Sequence, residues 1–260
     1  MSGLMTIVVW LADPMHWRGT DGVPIRVVEH LALSGTALGA AAFLALPVGL
    51  WLGHTGRGAT AAINALNVGR ALPSMAILAF ALPLSFRLGL GLGFWPTVFM
   101  LVPLGTPLIL INCHVAIRSV DREVVDVARG MGMRGWEVFR EVELPLAMPI
   151  VLGGLRNAAV TIVATATLGA LVASGGLGRY IVDGLARQET GRLVTGAVLV
   201  AALSIATEAA FNTLERVAVP PAVRMAQRGE EMRRQGVAAR GELGALSVYV
   251  DEGTGRQRQR

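Results

Sequence analysis

Few residues of this 260-residue chain have the types and spacing that chemistry needs. It has no lysine, and all of its basic residues are arginine. That excludes a phosphate-binding P-loop, whose lysine reaches the nucleotide, and it excludes Schiff-base chemistry. Any nucleotide-driven step must therefore run on another polypeptide. Cys113 is the single cysteine, so no intrachain disulfide forms. His114 beside it lacks the spacing of a metal ligand pair, and both are read as packing, with no metal site. Neither an H-E-x-x-H nor a G-x-S-x-G motif is present. The run GLGLG at Gly89–Gly93 follows no strand and precedes no suitably spaced acid, so it is not a phosphate loop. What remains is a set of polar residues embedded in apolar runs and one charged amphipathic stretch, Asp126–Pro145.

The elements that position these residues follow from composition. The chain is 53% hydrophobic and 16% charged, with a mean hydropathy of +0.56, too apolar for a soluble domain of this size. The expected fold is an all-α membrane protein with about five transmembrane helices, since a span needs ~20 apolar residues. The spans are placed at Leu31–Leu52, Ala59–Leu82, Trp95–Ala116, Met148–Val172 and Leu193–Val217. A short apolar piece near Pro73–Leu92 would make six. Residues 1–26 form an N-terminal segment, either interfacial through Ile7–Leu11, Trp10 and Trp17 or a disordered end. Residues 27–217 form the membrane domain, and residues 218–260 a polar, glycine-rich tail read as disordered or only partly helical. Pro83–Gly93 is read as an external loop or shallow re-entrant piece. The prolines at 103 and 107 are expected to break the third span. Gly35 with Gly39, and Gly49 with Gly53, are small-residue pairs that let helices approach closely.

Polar groups inside spans are costly, so each should face protein or a water-filled path. Asn64 and Arg70 in the second span line a translocation path or gate, or else Arg70 is a paired or snorkelling structural residue. Asn157, Thr161 and Thr165 recur every four residues and share one helix face, which would line a polar route or hydrogen-bond a neighbouring helix. Arg156 and Glu208 fall at similar depths in neighbouring spans and are predicted to pair.

The loop 117–147 between the third and fourth spans carries the amphipathic stretch. Asp121 suits the N-cap of a short helix with apolar residues at Val120, Val124, Val127, Ala128 and Met131. Gly132 ends that helix in the left-handed region, and a second short helix follows through Trp136, Val138 and Phe139. Pro145 and Pro149 then break the backbone where the apolar run resumes. The exposed apolar edge suits a groove on a partner protein, or alternatively the bilayer surface. If this loop is cytoplasmic, with the N-terminus external and the C-terminus internal, then Arg57, Arg118, Arg122, Arg129, Arg134 and Arg140, with the arginines from Arg216 onward, outnumber those of the opposite side, which agrees with the excess of arginine expected inside.

The stretch resembles the EAA loop of ABC-transporter permeases, patterned E-A-A, three residues, Gly, nine residues, then I-x-L-P. Asp126, Val127 and Ala128 stand at the triplet, Gly132 at the glycine, and Val142, Leu144 and Pro145 at the end, with Asp for Glu and Val for the first Ala as departures. The segment NVGRALPSMAIL and the SGGLG at Ser174–Gly178 resemble osmoprotectant permeases for glycine betaine, choline or proline. The resemblance covers roughly Asp13–Pro221. It implies the type I (MetI-like) fold and a multi-pass permease subunit of an ABC importer in the bacterial cell membrane. It also implies that Asp126, Val127, Ala128, Met131, Gly132, Arg134, Leu144 and Pro145 couple to an ATPase. The implied partners are an ABC ATPase dimer that holds ATP and Mg, a second permease copy or paralogue, an extracytoplasmic solute-binding protein and membrane lipid, with no nucleic acid. This chain itself would be no enzyme and hold no cofactor. The implied cargo is a small compatible solute: glycine betaine, choline, carnitine or proline, or another amino acid or small polar solute. With only 5% aromatic residues, the chain is poorly equipped to cage a quaternary ammonium, so tight selection falls to the binding protein. A secondary transporter would need an intramembrane ion site, for which Glu208 alone is thin, and an intramembrane enzyme would need a nucleophile–base pair or metal cluster.

Overall fold

The computed structural model describes residues 3–58, 61–64, 67 and 72–219. Residues 220–260 of the expected tail, and Arg70, lie outside them. Among the described residues every regular element is helical. In order these are α1 (Gly3–Ala12), a 3-10 turn (Pro14–Trp17), α2 (Val23–Thr55), α3 (Ser74–Arg87), α4 (Phe94–Arg118), α5 (Arg122–Gly130) and α6 (Gly135–Val138). A π-helical turn (Phe139–Glu143) leads into α7 (Leu144–Thr165), followed by a 3-10 stretch (Ala166–Val172), α8 (Gly178–Ala186) and α9 (Thr190–Ala218).

Among the described residues four helical paths are long and apolar enough to cross a membrane: Val23–Thr55, Phe94–Arg118, Gly135–Val172 and Thr190–Ala218. They realise the first, third, fourth and fifth expected spans. The second differs. Residues 61–64 are helical, but the chain bends at Leu72 and restarts at Ser74, with Pro73 at the N-cap, where its missing N–H costs nothing. The helix then runs through Pro83 to Arg87, so the loop read at Pro83–Gly93 shrinks to 88–93. At ~1.5 Å per residue, the 14 residues of α3 reach ~21 Å, short of the ~30 Å hydrocarbon core.

Helices α2, α4 and α7 form the centre. One buried cluster joins Ala41, Ala45 and Leu52 to Ile109, Leu110, Cys113 and Ile117 and to Ala147 and Val151. A second joins Leu33 and Ala37 to Leu78, Met100, Leu101 and Ile162. Gly49 and Gly53 make the close approach expected of them. A methyl at Gly49 would fall 2.8 Å from both Cys113 Cβ and the Leu110 carbonyl, and one at Gly53 would fall 2.7 Å from Ile117 Cβ. Gly35 and Gly39 do not, because they face outward with nothing within 4 Å of a Cβ.

The prolines break nothing. Helix α4 is continuous through Pro103 and Pro107, and α7 through Pro149. Burial between two neighbours holds each helix despite the backbone bond lost at each proline, and helices in this setting tolerate proline for that reason. At Pro145 the device is visible. The Leu144 N–H reaches back to the Phe139 carbonyl, widening the ladder by one residue just ahead of the proline.

Candidate functional site

The amphipathic stretch folds as two short helices around a glycine turn. The Asp121 carboxylate accepts the Glu123 N–H at 2.9 Å and caps α5. At the other end Gly132 has φ +89°, its N–H donates to the Arg129 carbonyl at 3.0 Å, and the Met133 N–H donates to the Ala128 carbonyl at 3.3 Å. This paired closure is a Schellman motif, which requires a left-handed residue at that position. The Arg134 N–H then donates to Glu137 Oε2 at 2.6 Å and opens α6.

Val127 (62%), Met131 (73%) and Trp136 (67%) are exposed large apolar residues on this loop, whereas Ala128 and Val138 are buried. Asp126, Gly132 and Arg134 lie on the exposed side with them. Leu144 is half-buried and Pro145 exposed where α7 begins. The residues singled out from sequence therefore divide into an exposed edge and a root.

The root holds two residues that sequence reasoning missed. Glu143, only 6% exposed, meets His54 Nδ1 through Oε2 at 2.5 Å. The His54 ring also stands edge-on to Phe139 at 5.3 Å, and Phe139 lies 5.4 Å from Trp136. A carboxylate one residue before a Leu-Pro that re-enters an apolar run was the available signal, since a buried acid needs a partner.

The polar stripe on α7 shares a face as expected. Asn157 and Thr161 are exposed and Thr165 half-buried, turned away from the buried Ala158, Ala159, Ile162 and Val163. The Thr161 hydroxyl donates to the Asn157 carbonyl at 2.8 Å. Asn64 is exposed on the helical stretch 61–64.

The predicted pair of Arg156 and Glu208 does not form. Arg156 Nη1 donates to Asn212 Oδ1 and lies 3.6 Å from Glu215 Oε2, while Glu208 is exposed. Asn212 and Glu215 sit four and seven residues beyond Glu208 on the same helix face. The face was right and the depth wrong by one to two turns, because nothing in the sequence sets the axial offset of α9 against α7.

At the opposite end of α2 the SGGLG segment seats on side chains. The Gly176 N–H donates to Glu29 Oε2 at 2.8 Å, and Arg26 binds Glu29 at 2.8 Å and also Asp21. Gly175 (φ +78°) has no room for a methyl, which would fall 2.5 Å from the Glu29 carboxylate. His30 Nε2 lies 2.9 Å from the Val163 carbonyl, and the Tyr180 hydroxyl donates to the Asp21 carbonyl at 2.6 Å. Burial pushes the Tyr180 phenol above its ordinary range. Trp10 packs here, stacked on His16 at 3.8 Å and edge-on to Tyr180.

Residues 45–218 match the family described as binding-protein-dependent transport system inner membrane component. The chain is 36% identical over 192 residues to the glycine betaine/carnitine/choline transport system permease protein OpuCB of Bacillus subtilis, covering 74% of this chain and 86% of that one. It is 33% identical over 207 residues to the carnitine transport permease protein OpuCB of Listeria monocytogenes, covering 80% and 93%. Among solved structures, an inward-facing conformation of the MetNI methionine ABC transporter superposes with a TM-score of 0.68 at 23% identity, covering 80% of this chain and all of that one. That likeness concerns the fold alone.

Proposed function

Because the chain belongs to the binding-protein-dependent inner membrane components, and is thus a multi-pass permease subunit of an ABC importer in the bacterial cell membrane rather than an enzyme, we propose that it moves a small compatible solute inward by alternating access. The solute is glycine betaine, choline, carnitine or proline, in line with the relatives named for glycine betaine, carnitine and choline. The observation that carries the mechanism is the apolar edge of Val127, Met131 and Trp136, held exposed by the Gly132 turn on a buried root. An edge of this kind suits a cleft on a cytoplasmic ATPase, whose dimer binds ATP and Mg and closes. Asp126, Val127, Ala128, Met131, Gly132, Arg134, Leu144 and Pro145 form or brace that contact. The loop is then the cytoplasmic coupling element between the third and fourth of five spans, or of six if α3 and the residues before it cross separately. A second permease copy or paralogue completes the path, with Asn157, Thr161 and Thr165 of α7 facing it. A solute-binding protein delivers from outside, near the Ser174–Gly178 segment, and the tail 218–260 is cytoplasmic.

The test is uptake of labelled glycine betaine, choline, carnitine and proline into proteoliposomes holding this chain and its ATPase, with and without the binding protein. ATP-dependent uptake of at least one solute that requires the binding protein is expected. Uptake that persists without the ATPase refutes the reading.

A further inference from the structure

We propose that His54 is a positioning residue that, through Glu143, fastens the root of the coupling loop to α2, so that movement of the loop is delivered to the α2–α4 pair. The proposal rests on the coupling reading of that loop and adds the path by which its motion enters the membrane helices.

Glu143 occupies the one position that the I-x-L-P end of the spaced pattern leaves open, so its acid is a property of this chain and not of the pattern. It closes the π-helical turn at which the loop becomes a membrane helix, and such turns recur at functional sites. A buried carboxylate is costly to leave unpaired, and its partner here is His54 Nδ1, 2.5 Å away in the last turn of α2. Among the described residues this is the one side-chain hydrogen bond from α2 to the segment 119–143. The same imidazole lies edge-on to Phe139, which in turn contacts Trp136 of the exposed edge. On its other side His54 belongs to a stretch in close contact with α4. Gly53 and Gly49 press on Ile117, Cys113 and the Leu110 carbonyl with no room for a methyl. A displacement at Trp136 or Glu143 therefore reaches two tightly packed helices together.

The experiment measures solute imported per ATP hydrolysed by the reconstituted transporter, using complexes in which the ATPase still co-purifies with the chain. His54→Leu removes the hydrogen-bonding partner of Glu143, and His54→Gln keeps an amide that can bond it. His54→Leu is expected to lower the ratio about tenfold, the lower end of what one hydrogen bond to a charged group is worth. His54→Gln should stay near the native ratio. If His54→Leu does not assemble, the double variant His54→Leu/Glu143→Leu removes both partners and leaves no orphaned acid. It should assemble and remain uncoupled. A native ratio in His54→Leu or in the double variant, or an equal loss in His54→Gln, overturns the proposal, because a bond that only stabilises the fold would not change the ratio of assembled complexes. Gly132→Val is run in parallel. If it uncouples while His54→Leu does not, only the His54 link falls. If neither variant changes the ratio, the coupling reading falls and the link falls with it.

Discussion

Substitution at Gly132 separates conformation from contact in the amphipathic loop proposed to couple to an ATPase. A Cβ at this position meets nothing within 4 Å, so side-chain size has no internal consequence. The backbone does, because φ is +89°. Holding an L-residue in the left-handed region costs roughly 1–2 kcal/mol. The alternative is to unwind the turn, which gives up the hydrogen bonds from Gly132 to Arg129 and from Met133 to Ala128. Two exposed backbone bonds are worth about 1–3 kcal/mol net. The two costs are comparable, so Gly132→Ala would keep the turn for only part of the time, and Gly132→Val, whose β-branch clashes with its own backbone at positive φ, for less. If the ATPase recognises the native turn, its affinity for the Ala variant should fall by roughly 5–30-fold, the equivalent of 1–2 kcal/mol. Asn visits the left-handed region far more readily, so Gly132→Asn should lose less than Gly132→Ala. The assay is titration of ATPase onto the purified chain, followed by the import-to-hydrolysis ratio in proteoliposomes. Native affinity and coupling in Gly132→Val would refute the reasoning. An equal loss in Asn and Ala would show that a contact made by Gly132, and not its conformation, matters.

Four further outcomes follow from the packing. Gly49→Ala meets a backbone carbonyl and Cys113 Cβ at 2.8 Å, whereas Gly105→Ala meets side-chain atoms alone, the Ile162 Cδ1 methyl at 2.7 Å and Ala41 Cβ at 3.4 Å. The first should destabilise the purified complex by about 1–3 kcal/mol in thermal melts and the second by less. Gly175→Ala forces a left-handed alanine onto the Glu29 carboxylate, and amide exchange at Gly176 should quicken by roughly 5–30-fold, the equivalent of 1–2 kcal/mol of strain. Asn212→Leu strips the acceptor from Arg156 and should lower the melting temperature, whereas Glu208→Gln, exposed and one turn away on the same face, should leave it unchanged. In a Tyr249→Phe background, which leaves Tyr180 as the single phenol, absorbance titration should place Tyr180 above the ordinary phenol value of about 10. Because the folded value is the raised one, this contribution to stability is complete below pH ~10 and is lost as the pH climbs through the folded value.

What could be read from the sequence was what local rules determine. The cap at Asp121, the left-handed Gly132 and the spacing to Leu144 and Pro145 are settled within a few residues of one another, and all appear where the sequence puts them. Four of the five expected spans coincide with long apolar helices among the described residues. Errors arose wherever packing overrides a local preference. Pro103, Pro107 and Pro149 look like breaks, but burial between α2, α4 and α7 outweighs the bond missing at each. The Gly35/Gly39 and Gly49/Gly53 pairs have the same spacing, and only the second is pressed against a neighbour, because the opposing helix is a tertiary fact. Arg156 found the predicted face of α9 at the wrong height, since helical periodicity fixes angle and leaves translation free. His54 and Glu143, 89 residues apart, were hidden for the same reason.

The same distinction bears on whether the amphipathic loop meets a protein or the bilayer surface. A helix that lies on lipid pairs its apolar face with a polar face rich in one sign, usually positive. Here the exposed apolar residues Val127, Met131 and Trp136 stand among both signs, with Asp126, Glu137 and Glu141 as exposed as Arg129, Arg134 and Arg140. Anionic headgroups would repel half of that rim, whereas the mixed polar border of a protein cleft can pair with both halves. The edge is also mounted firmly. The Schellman turn fixes the angle between α5 and α6, and buried Ala128, Val138 and Glu143 fix the pair to the bundle. A surface that only had to float on lipid would gain nothing from such bracing. One that must transmit force from a closing partner needs both the exposed edge and the rigid root, and this stretch of sequence supplies both within Asp121–Glu143.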